Sequence, residues 1–111
     1  MPRRKWRVVW TEAATNDLVE IVSFVARKAP TNARRLLIRL RSKADSLERS
    51  RQRGRVVPEL ASTGARAWRE LLVKPYRIVY RIRDDIVLVG AVVDGRRDLE
   101  DILLERLIRN E

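Results

Sequence analysis

An α+β fold is predicted for this chain of 111 residues, on three observations. Two stretches carry apolar residues at helical spacing and are divided by a proline. Three later stretches read as strands separated by turn-sized gaps. A short β-branched and aromatic run precedes them all. The order strand, helix, helix, three antiparallel strands, helix is met by one sheet with a helical hairpin packed on one face. The length fits one domain, 1–111. A chain of this size can bury a real core, removing roughly two-thirds of its unfolded surface from water.

The first strand is Trp6 to Trp10. Thr11 is a suitable N-cap, with Glu12 in the first turn where the helix dipole favours an anion. Ala14, Leu18, Ile21, Val22 and Val25 then fall on one helix face, which runs to about Lys28. Pro30 breaks this helix, and Thr31 is the expected cap of the next. The second helix has the stripe Ala33, Leu36, Leu37, Leu40, Ala44 and Leu47. Its other face carries Arg34, Arg35, Arg39, Arg41 and Lys43. The short connection makes the two helices antiparallel neighbours. Residues 50–66 read as one long loop, a length that is often functional. Trp68 to Val73, Tyr76 to Arg83 and Ile86 to Val93 read as strands of a meander, with Lys74-Pro75 and Asp84-Asp85 as turns. Asp98 is positioned to cap a final helix containing Leu99, Ile102, Leu103, Leu104, Leu107 and Ile108, an apolar set wider than one sheet face requires.

Composition excludes much chemistry. With no Cys and no His, there is no disulfide, thiol nucleophile, thiolate metal site or imidazole acid/base. No metal site and no cofactor are expected. The four glycines are too scattered for a dinucleotide fingerprint or a P-loop. The longest charge-free apolar run, Ile86 to Val93, is far below the ~20 residues that span a bilayer. The N-terminus is no signal peptide, so the expected location is cytoplasmic, with no membrane partner. The net charge of +10 implies an acidic partner. Residues 1–58 hold all of the excess, with 15 Lys/Arg against 5 Asp/Glu, whereas residues 59–111 hold 10 of each.

Several motifs in order resemble the RelE/ParE toxin superfamily of bacterial type II toxin–antitoxin modules. They are Trp10-Thr11-Glu12-Ala13-Ala14 with Asp17-Leu18, then Gly54-Arg55-Val56-Val57-Pro58-Glu59-Leu60, then Arg69-Glu70-Leu71-Leu72 with Tyr76-Arg77-Ile78-Val79-Tyr80-Arg81, and last Gly95-Arg96-Arg97-Asp98-Leu99. The pattern is closer to the ParE branch. The resemblance implies the RelE/ParE-like fold and a cytoplasmic toxin neutralised by a cognate ParD-like or RelB-like antitoxin. In that family such modules serve plasmid stabilisation, and operator DNA is reached indirectly through the antitoxin. ParE-like members inhibit DNA gyrase. RelE-like members cut mRNA on the ribosome. A degenerate toxin acting only in an antitoxin/operator complex is a third reading.

An RNase of the RelE kind needs groups that hold the scissile phosphate and move protons. By resemblance, Arg69, Arg77 and Arg97 match its basic positions. The position of its C-terminal tyrosine falls near Leu103, a second basic position is Leu71, and a histidine used by some relatives is Asp94. A permanently charged arginine binds phosphate but is a poor acid or base. The ParE-like reading is therefore favoured, with no confident catalytic residue. Target-binding candidates are Arg49, Arg51, Arg53, Arg55, Arg77, Arg96 and Arg97. Arg77 has a second reading, as a fold-maintaining residue paired with Glu70 across the turn. Leu99, Leu103, Leu104, Leu107 and Ile108 are the antitoxin-binding candidates, because a partner segment could bury the apolar surplus.

Overall fold

The computed structural model describes residues 5–61, 67–96 and 100–108. Strand β1 (Arg7–Trp10) leads into helices α1 (Glu12–Ala26) and α2 (Pro30–Asp45). A two-residue strand, β2 (Arg55–Val56), follows, then a 3₁₀ turn at Pro58–Leu60 and the meander β3 (Trp68–Val73), β4 (Tyr76–Arg83) and β5 (Ile86–Asp94). The short helix α3 (Glu100–Leu103) runs on as a wider π-type turn, Leu104–Ile108. The five strands form one sheet in the order β1-β5-β4-β3-β2, with β1 parallel to β5 and every other pair antiparallel. Among the described residues no helix is long and apolar enough to cross a membrane.

The sheet separates two apolar layers. On one face α1 and α2 bury Ala14, Leu18, Leu36, Leu40 and Ala44, and Leu47 from the 3₁₀ turn Ser46–Glu48 that follows α2, rather than from the helix itself, joins them against Leu71, Val73, Ile78, Tyr80, Val87 and Val89. Strand alternation sends the intervening residues to the other face. There Trp68, Val79 and Ala91 meet Val57 and Leu60 from the loop and Leu103 from α3. Gly90 is the extra residue of a bulge, since Val79 pairs with Ala91 and Tyr80 with Val89. Asp84, at φ 54°, supplies the positive φ that a two-residue hairpin turn needs.

Thr11 caps α1 as expected, its hydroxyl accepting from the Ala14 amide at 3.1 Å. The cap of α2 is corrected. Pro30 starts this helix at its first position, after Ala29, which makes no side-chain cap bond. A fixed φ suits proline to the first turn, where its missing N–H has no helical partner to lose. The loop reading of residues 50–66 is also corrected, because Arg55–Val56 adds an edge strand. Two residues are too few for any periodicity to register. Asp98, the expected cap of the last helix, lies outside the described residues.

Asp17 joins three elements. Strand β1 covers β5 only as far as Val89. Beyond it, the Val92 amide donates to the Asp17 carboxylate at 2.9 Å, and Arg106 donates to the same oxygen. Burial pushes the Asp17 carboxyl above its ordinary value, despite both donors.

Candidate functional site

The face opposite the hairpin holds Glu70 of β3 and Arg77 of β4. Cross-strand register sets Leu72 against Arg77 and Glu70 against Val79, so Glu70 and Arg77 are diagonal neighbours on that face. The 3₁₀ turn is fixed by burial of Val57 and Leu60, and it carries Glu59 over Arg77. One Arg77 nitrogen, Nη1, lies 2.7 Å from both Glu59 oxygens and 3.3 Å from Glu70 Oε1. The other Glu70 oxygen accepts from Arg55 Nε at 2.8 Å. The result is a chain Arg55–Glu70–Arg77–Glu59 with no net charge. The Glu70 side chain is fully buried, and that of Arg77 is 15% exposed.

Closing the site is Gly95, whose amide donates to the Pro75 carbonyl at 2.7 Å. A Cβ there would lie 3.0 Å from that oxygen and 3.1 Å from Arg77 Nε. Glycine thus lets the chain pass over the guanidinium. Beside the network is an open depression of about 340 Å³ lined by Arg55, Lys74, Tyr76, Arg77, Gly95 and Arg96. Arg96 is held by Asp94, at 3.0 Å from Nε and 2.6 Å from Nη2.

The other candidates are dispersed. Arg69 shares the hairpin side of β3 with Leu71 and Val73, whereas Arg77 faces the opposite way, and Arg69 Nη1 donates to the Gly54 carbonyl at 2.8 Å. Arg69 and Arg77 therefore do not converge on one phosphate, which corrects the RNase set as a single site. Arg97 and Leu99 lie outside the described residues, as do the side chains of Leu107 and Ile108. The expected basic loop is tied down at each arginine. Arg49 lies 3.6 Å from Glu48, the Arg51 guanidinium lies 3.6 Å from the centre of the Trp6 ring, Arg53 bonds the Ser46 hydroxyl, and Arg55 bonds Glu70. Leu103 was expected at an antitoxin surface, but it is wholly buried in the second layer. A two-faced sheet needs cover on both faces, and α3 supplies part of it. Leu104 is half-buried against the same layer.

The roles of two residues were not visible in the sequence. Glu59 gave no periodic signal; the available clue was that a semi-buried arginine needs a carboxylate partner. Gly54 entered the sequence reading only as the first residue of the Gly54–Leu60 motif, with no contact assigned to it. Its amide donates to the Tyr80 hydroxyl at 2.9 Å, and that hydroxyl donates to the Arg51 carbonyl at 2.8 Å. Burial raises the Tyr80 phenol above its ordinary value, which keeps it a neutral hydrogen-bonding group.

Glu59 gives the site a pH signature. Burial opposes its charge, but the Arg77 hydrogen bond and charge outweigh burial and hold the carboxyl below its ordinary 4.5. A depressed carboxyl contributes stability that is full above the unfolded value and is lost as pH falls through the folded one. The stability gap between wild type and Glu59→Gln is therefore expected to be constant above about pH 5 and to shrink as pH falls below the ordinary 4.5. Urea melts of both proteins across that range measure it; a gap independent of pH would contradict the ion pair.

One sheet in the order β1-β5-β4-β3-β2 with a helical hairpin on one face is the α+β arrangement that the resemblance to RelE/ParE toxins implied. Residues 8–99 match the model of the family described as ParE toxin of type II toxin–antitoxin system, parDE, and the chain belongs to that family. It is 37% identical over 92 residues to Toxin RelE2 of Caulobacter vibrioides, covering 82% of this chain and 97% of that protein. Its fold is similar to the chromosomal ParDE system from P. aeruginosa, with TM-score 0.68 at 17% identity, over 82% of this chain and 97% of that one. It is also similar to the RelBE2 toxin–antitoxin complex of Mycobacterium tuberculosis, with TM-score 0.59 at 22% identity, over 81% and 91% of the two chains.

Proposed function

We propose that this toxin acts as a single ParE-like domain that inhibits DNA gyrase by binding it, without bond-breaking chemistry of its own. The observation that carries this reading is the sealed arginine. Arg77 is neutralised by Glu59 and Glu70, so it does not offer an open cradle to a phosphate. Arg69 faces away from it. Leu103, near which the resemblance to RelE-like nucleases puts a proton-transferring tyrosine, is packed in apolar core. The match to the ParE family model adds support. A cognate antitoxin of the ParD or RelB kind would hold the toxin inactive, and its toxin-binding segment would be acidic to complement the basic N-terminal half. The rival reading, a ribosome-dependent mRNA endonuclease using Arg69, Arg77 and Arg97, is favoured by the name of the Caulobacter relative.

Two assays on purified toxin separate them. With gyrase and relaxed plasmid, supercoiling is expected to fall and cleaved DNA to accumulate as toxin is added. With programmed ribosomes, mRNA is expected to stay intact. Cut mRNA together with unaffected gyrase would establish the rival.

A further inference from the structure

We infer that the outward face of α2, with Arg53 beside it, is a binding site for the phosphate backbone of duplex DNA. The inference does not rest on the gyrase reading, because it concerns a different surface of the free toxin.

The first observation is local electrostatic conflict. From Pro30 to Ala44 the helix has no Asp or Glu, yet it carries Arg34, Arg35, Arg39, Arg41 and Lys43. Arg35, Arg39 and Lys43 follow at i, i+4 and i+8, so they lie in one row. Like charges at that spacing destabilise a helix by ~0.2–0.5 kcal/mol per pair. None of the five makes an ion pair among the described residues. Elsewhere some arginines are ion-paired, as at Arg55, Arg77, Arg96 and Arg106. Burial of the other face holds α2 in place despite this conflict.

The second observation is shape. A depression of about 390 Å³ runs between α2 and the edge of β3, with Arg39, Ser42, Lys43, Ser46 and Arg53 on one side and Leu72 and Val73 of β3 on the other. Arg53 reaches back to the Ser46 hydroxyl, which aims its charge at the end of the same row. Its polar lining is made of cations and hydroxyls with no carboxylate, and Leu72 and Val73 form its apolar side.

Phosphate is the anion these features fit. The row from Arg35 to Lys43 is ~12 Å long at 1.5 Å per residue. A DNA duplex presents one negative charge per ~1.7 Å of its axis, so several phosphates lie within reach. Guanidinium and ammonium groups only donate, and phosphate oxygens only accept. No aromatic residue interrupts the row, so nothing is offered for an unstacked base to lie on, which favours a duplex over a single strand. The expected binding is indifferent to sequence, because every contact goes to the backbone.

The test uses the whole purified protein and a fluorescein-labelled 20-base-pair duplex of arbitrary sequence, with anisotropy read from 50 to 200 mM salt. Four engaged cations are expected to give a log–log slope of about −3.6, at −0.9 per neutralised phosphate. The triple variant Arg35→Gln, Arg39→Gln, Lys43→Gln is expected to lose about 2.7 of that slope and at least tenfold in affinity at 50 mM salt. Its thermal midpoint should stay level or rise, since the repelling pairs are gone. Arg7→Gln, on the far edge strand β1, should leave the slope unchanged. No binding by wild type, equal loss in Arg7→Gln, or an unchanged slope in the triple variant would each overturn the site. Displacement of the duplex by poly-glutamate at equal charge would mark an acidic-protein surface and overturn it too. Equal or tighter binding of a 20-base-pair RNA duplex or a single strand would overturn the assignment to DNA.

Discussion

Gly54→Ala is expected to lower stability by about 3 kcal/mol, shifting the thermal midpoint by roughly 10 °C for a domain of this size. The cause is space rather than backbone angle. A Cβ at residue 54 would sit 2.6 Å from the Glu70 carbonyl oxygen and 2.6 Å from the Tyr80 hydroxyl. The Glu70 carbonyl belongs to a strand paired on both sides, so it cannot retreat cheaply. The loop must lift instead, and lifting breaks two bonds at once: Gly54 amide to Tyr80, and Arg69 to the Gly54 carbonyl. Buried groups left unpaired cost ~1–3 kcal/mol each. Tyr80→Phe isolates the hydrogen bonds from the clash, since it keeps the ring and removes only the hydroxyl. Its expected loss is smaller, about 1–2 kcal/mol. Chemical melts of both variants measure the two effects. A Gly54→Ala protein as stable as wild type would mean that the loop does not close on Tyr80 in solution.

The same contacts show what the sequence made legible and what it hid. The hairpin helices and the meander were legible because long amphipathic segments repeat their signal: Ala14, Leu18 and Ile21 mark one face many times over, and Tyr76, Ile78, Tyr80 and Ile82 alternate cleanly. The pairing of Arg77 with Glu70 was legible for the same reason, since register follows from a two-residue turn. Short or non-local features had no such redundancy. Strand β2 is two residues long. Glu59 acts across eighteen positions, and Asp17 reaches Arg106 across eighty-nine. Charge counting identified the basic half correctly but could not say which arginines were already engaged. Arg51 and Arg55 are held by Trp6 and Glu70, whereas Arg35 and Arg39 make no ion pair among the described residues. That division moves the candidate binding surface from the basic loop to α2.

It also governs how a loss of toxicity on mutating Arg77 is to be read. Arg77→Ala is expected to destabilise the toxin by about 3 kcal/mol or more, the usual cost of removing one partner of a buried ion pair. Glu70, with its side chain fully buried, would keep only Arg55, whose own side chain is 57% exposed. Glu59 and Glu70 would then face each other with no cation between them. A growth assay on Arg77→Ala alone would register this loss of fold as a loss of function. The informative variant replaces the whole cluster: Arg77→Met with Glu59→Leu and Glu70→Leu. Apolar residues of similar volume commonly match or exceed a buried ion-pair network in stability, and Arg55 is exposed enough to be solvated by itself. The triple variant is therefore expected to lie within ~1 kcal/mol of wild type, measured by urea melts. If it still arrests growth on induction, Arg77 is architectural and the toxin's contacts lie elsewhere. If it folds as well as wild type and no longer arrests growth, this charged cluster touches the target. A triple variant less stable than Arg77→Ala would show that the cluster's polarity itself holds the 3₁₀ turn on the sheet, and the assignment of the cost to an orphaned Glu70 would be wrong.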